Sequence, residues 1–212
     1  MPDPWPLRHL VLRTARLTLR PDDDAGLYEL AALALRGVHP PQQMLFLTAW
    51  TDQPPDNLVR SSVQHFWRAR AQLTAADWSV NFLVRHGGQV VGVQGVSGKQ
   101  FAITREVSTG SWLGLSYQRQ GFGTEMRAAV LLLAFDHLSA SIARSAAFTD
   151  NAASLRLSDK LGYRTDGANT FARRGVAATE IRLVLEPSHF VRPDWALQVE
   201  GLDRCRQMLG VL

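Results

Sequence analysis

The stretch Ser111-Trp-Leu-Gly-Leu-Ser-Tyr-Gln-Arg-Gln-Gly-Phe-Gly-Thr124 carries the most chemical information in this chain. Strand-like apolar residues run into a turn holding Gly121 and Gly123, and a helical pattern begins directly afterwards. Such a junction gathers unpaired backbone N–H groups and the positive end of a helix dipole at one point. It suits an anion, phosphate or pyrophosphate above all. Glycine lets the backbone approach that ligand because no Cβ intervenes. Two other phosphate motifs do not fit. A P-loop needs Gly-Lys-Ser/Thr, and a dinucleotide fingerprint needs a third glycine where Met126 stands. By itself the stretch also fits a plain strand–turn–helix connection.

A second block follows a helix and a strand later: Asn151-Ala-Ala-Ser-Leu-Arg-Leu-Ser-Asp-Lys-Leu-Gly-Tyr163. The loop reads Q/R-x-x-G-x-G/A, and the second block reads N-x-x-S with a K-x-G-F/Y ending. In this order the two resemble the signatures of the GNAT family of N-acetyltransferases. The opening Leu17-Thr-Leu-Arg20 followed by Pro21-Asp22 is similar to the start of the ribosomal-protein (RimJ/RimL-like) branch. The match covers roughly residues 14–186. The tail, with Gly201-Leu-Asp-Arg-Cys-Arg206, resembles a small actinobacterial subgroup of acyltransferases, some of which take succinyl-CoA.

The resemblance implies an acyl-CoA-dependent N-acyltransferase, with acetyl-CoA or succinyl-CoA as co-substrate and no metal. The acceptor would be a primary amine: a protein N-terminus, a lysine or a small molecule. It implies that backbone amides of Gln118, Arg119, Gln120, Gly121, Phe122, Gly123 and Thr124 hold the CoA pyrophosphate. The strand at Trp112, Leu113, Gly114 and Leu115 would splay from its parallel neighbour and bind the pantetheine, with an N–H near Leu113–Leu115 stabilising the oxyanion. Asn151 and Ser154 would reach the pantetheine and the thioester sulfur, although Asn151 also reads as a helix cap. Many family members place a tyrosine where this chain has Ser158, so the hydroxyl at the sulfur would fall to Ser154. The family's strand glutamate falls at Ser108. Glu106, two residues out on the same strand face, is therefore the expected general base. Asp77 and His65 read as structural. A catalytically weak CoA-ester-binding regulator is the alternative. For a longer, dicarboxylic acyl group, Gln94, Ser97, Lys99 and Arg105 are within expected reach of its carboxylate.

The elements that must position these residues follow from periodicity. Arg16–Arg20 alternates as a half-buried strand does. Pro21 and three aspartates start a helix with Leu27, Leu30, Ala31 and Ala34 on one face. A second helix spans 56–73. Two apolar runs flank Gly87-Gly88 as a β-hairpin. Further strands are expected at 108–116, 142–149, 163–173 and 179–185, and helices at 124–138 and 151–161. A meander followed by two βα units means an α/β (α+β) fold: a mixed, mostly antiparallel sheet splayed in the middle and flanked by helices. No linker is visible, so residues 1–212 read as one domain, with 187–212 packing on it or on a neighbouring subunit.

Composition narrows the remaining classes. The chain has 212 residues, 46% hydrophobic and 20% charged, with a net charge of +4. These values exclude disorder and collagen-like repeats. The basic residues are 21 Arg and 2 Lys, scattered rather than blocked, so nucleic acid is an unlikely partner. Charges interrupt the N-terminal region, and no membrane-length apolar run occurs; the expected compartment is the cytoplasm. The lone Cys205 leaves no internal disulfide and stands outside the motifs. Large apolar residues in Met44–Trp50 and around Trp195 suggest a homo-oligomer, a dimer or tetramer.

Overall fold

A computed structural model describes residues 3–211. The chain begins with two short strands, β1 (Val11–Arg13) and β2 (Thr18–Pro21), and then two helices, α1 (Asp24–Leu35) and α2 (Pro55–Gln72). Next come the hairpin β3 (Asp77–His86) and β4 (Gln89–Lys99), the short α3 (Phe101–Thr104) and β5 (Glu106–Leu113). Two βα units follow: α4 (Phe122–Leu132), β6 (Ile142–Phe148) and α5 (Ala152–Lys160). The strands β7 (Arg164–Arg173), β8 (Val176–Leu185) and β9 (Gln198–Glu200) complete one nine-stranded sheet of order β7-β8-β6-β5-β4-β3-β2-β1-β9. Every neighbouring pair is antiparallel except β5–β6. This is the mixed, mostly antiparallel architecture expected from the sequence.

The sheet is the middle of three layers. On one face, Leu27, Leu30, Leu33, Val63 and Phe66 of α1 and α2 cover Leu83, Val90 and Val93. On the other, α4 packs on Val84, Val91, Val107 and Leu113. The segment after β8 joins this same core through Phe190, Leu202, Cys205, Leu209 and Val211. From Glu125 to Leu132 every residue of α4 is buried, unlike the one-sided helix of a protein surface. Met44 of the long loop and Phe190, Leu202, Leu209 and Val211 of the tail are buried within the chain, and Phe46, Trp50 and Trp195 are half-buried against it, whereas Leu47 and Val191 stay exposed.

Several local expectations shift for physical reasons. Pro21 ends β2 instead of opening a helix, and Asp23 caps α1 by accepting from Gly26 N–H at 2.7 Å. The helix expected over 124–138 is α-helical only to Leu132. A wider turn follows, in which Leu138 N–H donates to Leu133 C=O at 3.0 Å. Strands β1 and β9 pair with one another at the sheet edge; three residues are too few to display a period. The hairpin turn falls at Gly87-Gly88 as expected, both with positive φ, the geometry of primed hairpin turns. Among the described residues, no helix is long and apolar enough to cross a membrane.

Candidate active site

The parallel pair β5–β6 is in register only at Glu106↔Ile142, Val107↔Ala143 and Ser108↔Arg144. Beyond Ser108 the strands part, so the β6-facing edge of Thr109–Leu113 has no strand partner. Buried backbone groups on such an edge need other partners. One is supplied from across the gap, where Ser145 Oγ donates to Thr109 C=O at 3.3 Å. The gap opens into a cleft of about 780 Å³ that passes through the sheet. Its walls include Trp50, His65 and Phe66 on the α1–α2 side, and Arg127, Asn151 and Ser154 on the α4–α5 side.

The glycine turn stands just beyond the end of β5. Gly121 is the N-cap of α4, in the left-handed region at φ +83, and supplies no side-chain cap. The first amides of α4 are therefore left for a ligand. Arg119 is also left-handed, at φ +61, and such backbone alternation makes anion-binding concavities. Gln118 serves the turn through its side chain: Nε2 donates to Val38 C=O at 2.7 Å and Leu113 C=O at 3.0 Å. A residue not singled out in the sequence joins this end. Arg16 donates from Nη1 to Gln120 C=O at 3.0 Å and lies over the Phe122 ring at 4.7 Å. Buried Glu125, in the first turn of α4, holds it by accepting from Arg16 Nε at 2.7 Å. The contact joins residues 109 positions apart, and no local motif announces it.

The structure redistributes the expected strand contacts. Leu115 N–H donates to Gly37 C=O at 2.9 Å, and Gly114 N–H to Val91 C=O at 3.0 Å. Neither is free for a thioester, so the unpaired edge lies upstream, at Thr109–Leu113. Trp112 points to the α1–α2 side and stacks obliquely on Trp50, with centroids 5.6 Å apart. Asn151 caps α5, its Oδ1 accepting from Ser154 N–H at 3.1 Å. That leaves its amide donors unengaged. Asn151 and Ser154 both line the cleft.

Glu106, the expected base, is not among the residues lining the cleft. Its two oxygens accept from Arg144 at 2.7 and 3.1 Å, and this contact holds the carboxyl below its ordinary range. A carboxylate so stabilised is a weak proton acceptor. The cleft wall instead carries His65, on α2, and Glu180, on β8. Partial desolvation at the cleft holds the His65 pKa below the ordinary histidine value, with Arg68 adding to the effect, which favours the neutral imidazole. From the sequence His65 reads as structural and Glu180 is not singled out, because each reaches the cleft from a separate element.

Of the residues expected near a longer acyl group, only Ser97 lines the cleft. Gln94 is buried and donates to the carbonyls of Gly95 and Gly110, at 3.0 and 3.2 Å. Arg105 lies over the Phe101 ring. Cys205 belongs to the tail and is buried, and desolvation pushes its thiol up to about 11.

Solved structures share this architecture. Mycobacterium smegmatis RimJ in complex with CoA-disulfide is 16% identical, with a TM-score of 0.74 over 94% of each chain. The ribosomal L7/L12 alpha-N-protein acetyltransferase RimL, in complex with CoA, is 16% identical with a TM-score of 0.65 over 81% of this chain and 94% of its own. A spermidine N-acetyltransferase SpeG chimera from Vibrio cholerae and hSSAT is 15% identical with a TM-score of 0.64, covering 82% and 97%. Residues 16–164 match the sequence profile of the acetyltransferase (GNAT) domain, well over half of the chain. The protein therefore belongs to the GNAT acetyltransferase family.

Proposed function

We propose that the protein transfers an acetyl or succinyl group from CoA to a primary amine, by direct attack in a ternary complex. The observation that carries this reading is the splay after Ser108. An unpaired strand edge leads from an uncapped helix end into a cleft open toward α1 and α2. CoA phosphates suit the α4 amides and Arg16, and the pantetheine can pair with the edge of Thr109–Leu113 as an added strand would. N–H groups on that edge would also meet the oxyanion as it forms.

The amine enters from the α1–α2 side. His65, neutral and facing the cleft, takes its proton directly or through one water. The lone pair then adds to the thioester carbonyl. Ser154 Oγ donates a hydrogen bond to the sulfur as charge reaches it. The buried, weakly acidic Cys205 thiol supports attack without a covalent enzyme intermediate. The names of the neighbours suggest acceptors of two kinds, a protein N-terminus and a polyamine.

Ser108 and Ser158, where relatives carry an acid and a phenol, favour one second reading: a CoA-ester-binding regulator with little turnover. A panel of N-terminal peptides, lysine peptides and polyamines, scored for released CoA thiol and product mass, separates the two. Amine-dependent CoA release supports the transferase. Tight CoA binding without release on any amine overturns it.

A further inference from the structure

The arginines that reach carboxylates at the edges of the fold pair with them: Arg16 with Glu125, Arg70 with Asp22 and Asp24, Arg85 with Glu29, Arg144 with Glu106, and Arg173 with Asp150. Arg127 does not follow this habit. It is 4% exposed, within the buried stretch of α4, and lines the cleft. Its Nη1 donates to Ser158 Oγ at 2.9 Å and its Nη2 to Ser111 Oγ at 3.3 Å. Its Nε is buried without a partner. Among the described residues, no carboxylate forms a salt bridge with it. A buried cation that meets only hydroxyls keeps most of its desolvation penalty. Burial accordingly pulls its pKa down, but a guanidinium starts high enough to remain charged.

An anion brought by the substrate would complete this arrangement. Arg127 lies four residues beyond Gly123, about 6 Å along the helix, and its side chain reaches further inward to α5 and β5. The CoA phosphates belong at the helix end, outside that depth. The pantetheine arm is neutral. Within the acyltransferase reading, on which this inference rests, turnover creates two negative charges inside the cleft: the passing oxyanion, met by the N–H groups of the strand edge, and the one left on sulfur, which no main-chain group is assigned to receive.

We propose that Arg127 is a catalytic residue that receives the departing CoA thiolate. The amine nitrogen forms the new N–C bond, and the carbonyl π pair moves to oxygen. When that oxyanion collapses, the C–S bond breaks and its electron pair stays on sulfur, ion-paired with the guanidinium. The ammonium proton leaves through His65 or water. Sulfur needs no proton from the enzyme, and so no tyrosine at position 158. Ser158 instead orients the cation, its own hydroxyl donating to Ser154 C=O at 2.9 Å.

The test is a titration of the bound CoA thiol, read by the ultraviolet absorbance of its thiolate. The ionisable neighbours are Tyr163, whose hydroxyl burial holds high, Arg144, engaged by Glu106 and Asp166, and His65 and Glu180 on the cleft wall. An ordinary thiol titrates near about pH 8.5. In the wild type, bound CoA should ionise about one pH unit or more below free CoA, as expected for an adjacent opposite charge. Arg127→Met should abolish this difference and lower kcat roughly 10- to 100-fold, with little change in the acyl-CoA KM. Arg127→Lys should keep part of the difference. Bound and free CoA titrating alike in the wild type overturns the proposal without any variant. So does an Arg127→Met protein that keeps its thiolate and loses only a preference for succinyl-CoA over acetyl-CoA; the arginine would then read the acyl carboxylate. A wild type that binds no CoA removes the transferase reading as well.

Discussion

The glycine turn and the cleft are built from different materials. As proposed here, the phosphate end is mostly main chain, the uncapped amides of α4 behind Gly121, with Arg16 beside them. The proposed acyl end is made of side chains from four separate elements: His65 on α2, Arg127 on α4, Ser154 on α5 and Glu180 on β8. Main-chain sites need a backbone shape, and a few consecutive residues specify a shape. Side-chain sites need tertiary assembly, so their members can stand anywhere in the sequence. On the proposed reading, the first kind of site would accept any CoA ester, whereas the second would select an acyl group and an amine.

The largest separation of the two ends should come from Gly123→Asp. A Cβ there meets Leu157 Cδ1 at 2.9 Å, and a carboxylate would face the phosphates. Calorimetry should read a loss of acetyl-CoA affinity of roughly 100-fold or more, since like charges in contact cost several kcal/mol. Gly123→Ala carries the same packing strain without charge and should lose much less. Equal losses would make the glycine a packing device only.

His65→Gln tests the other end. It should lower kcat about 100-fold with the CoA Kd unchanged, and remove the limb of the kcat/KM–pH profile that rises as the imidazole loses its proton. That limb should lie below the ordinary histidine range, because burial lowers the pKa. An unaltered profile would dismiss His65 as the base.

Ser154→Ala should cost about 10-fold in kcat, with KM nearly constant. A rise in KM alone would move Ser154 from the chemistry to pantetheine binding.

Asp22 belongs to neither end and supplies the control. Burial raises its pKa to about 6 despite Arg70. The native state therefore holds a proton that the unfolded chain releases near about pH 4. Stability should fall as pH rises from about 4 to 6 and stay lower above, by the order of 2–3 kcal/mol. Asp22→Asn should flatten that window and raise Tm at pH 7.5 by several degrees, with kcat and CoA affinity unchanged. Wild-type stability that is level across the window would refute it.

The same division explains what the sequence made legible. The sheet, its helices and the glycine turn were readable because alternation, helical spacing and Gly-x-Gly are local properties. Asn151 was readable as a cap because a cap depends on its own helix, and the same residue stands on the cleft wall. Glu106 misled because strand alternation gives its face correctly and says nothing of Arg144, which arrives from the next strand. Leu115 misled in the same way: its N–H is taken by Gly37, across from a distant loop. Arg127 was hidden inside an apolar helical face, where a lone arginine reads as a tolerated interruption.

The buried Glu125 also makes CoA binding a statement about the order in which the chain assembles. Its carboxylate accepts from Thr14 Oγ1, from Arg16 N–H at 2.9 Å and from Arg16 Nε. The glycine turn gains its neighbouring cation only when the segment before β2 has docked. A ligand that needs that cation stabilises the docked form by mass action. Saturating CoA should thus slow amide hydrogen exchange in β1 and β2, strands that do not line the cleft, by closing the local opening through which the N-terminal segment exchanges.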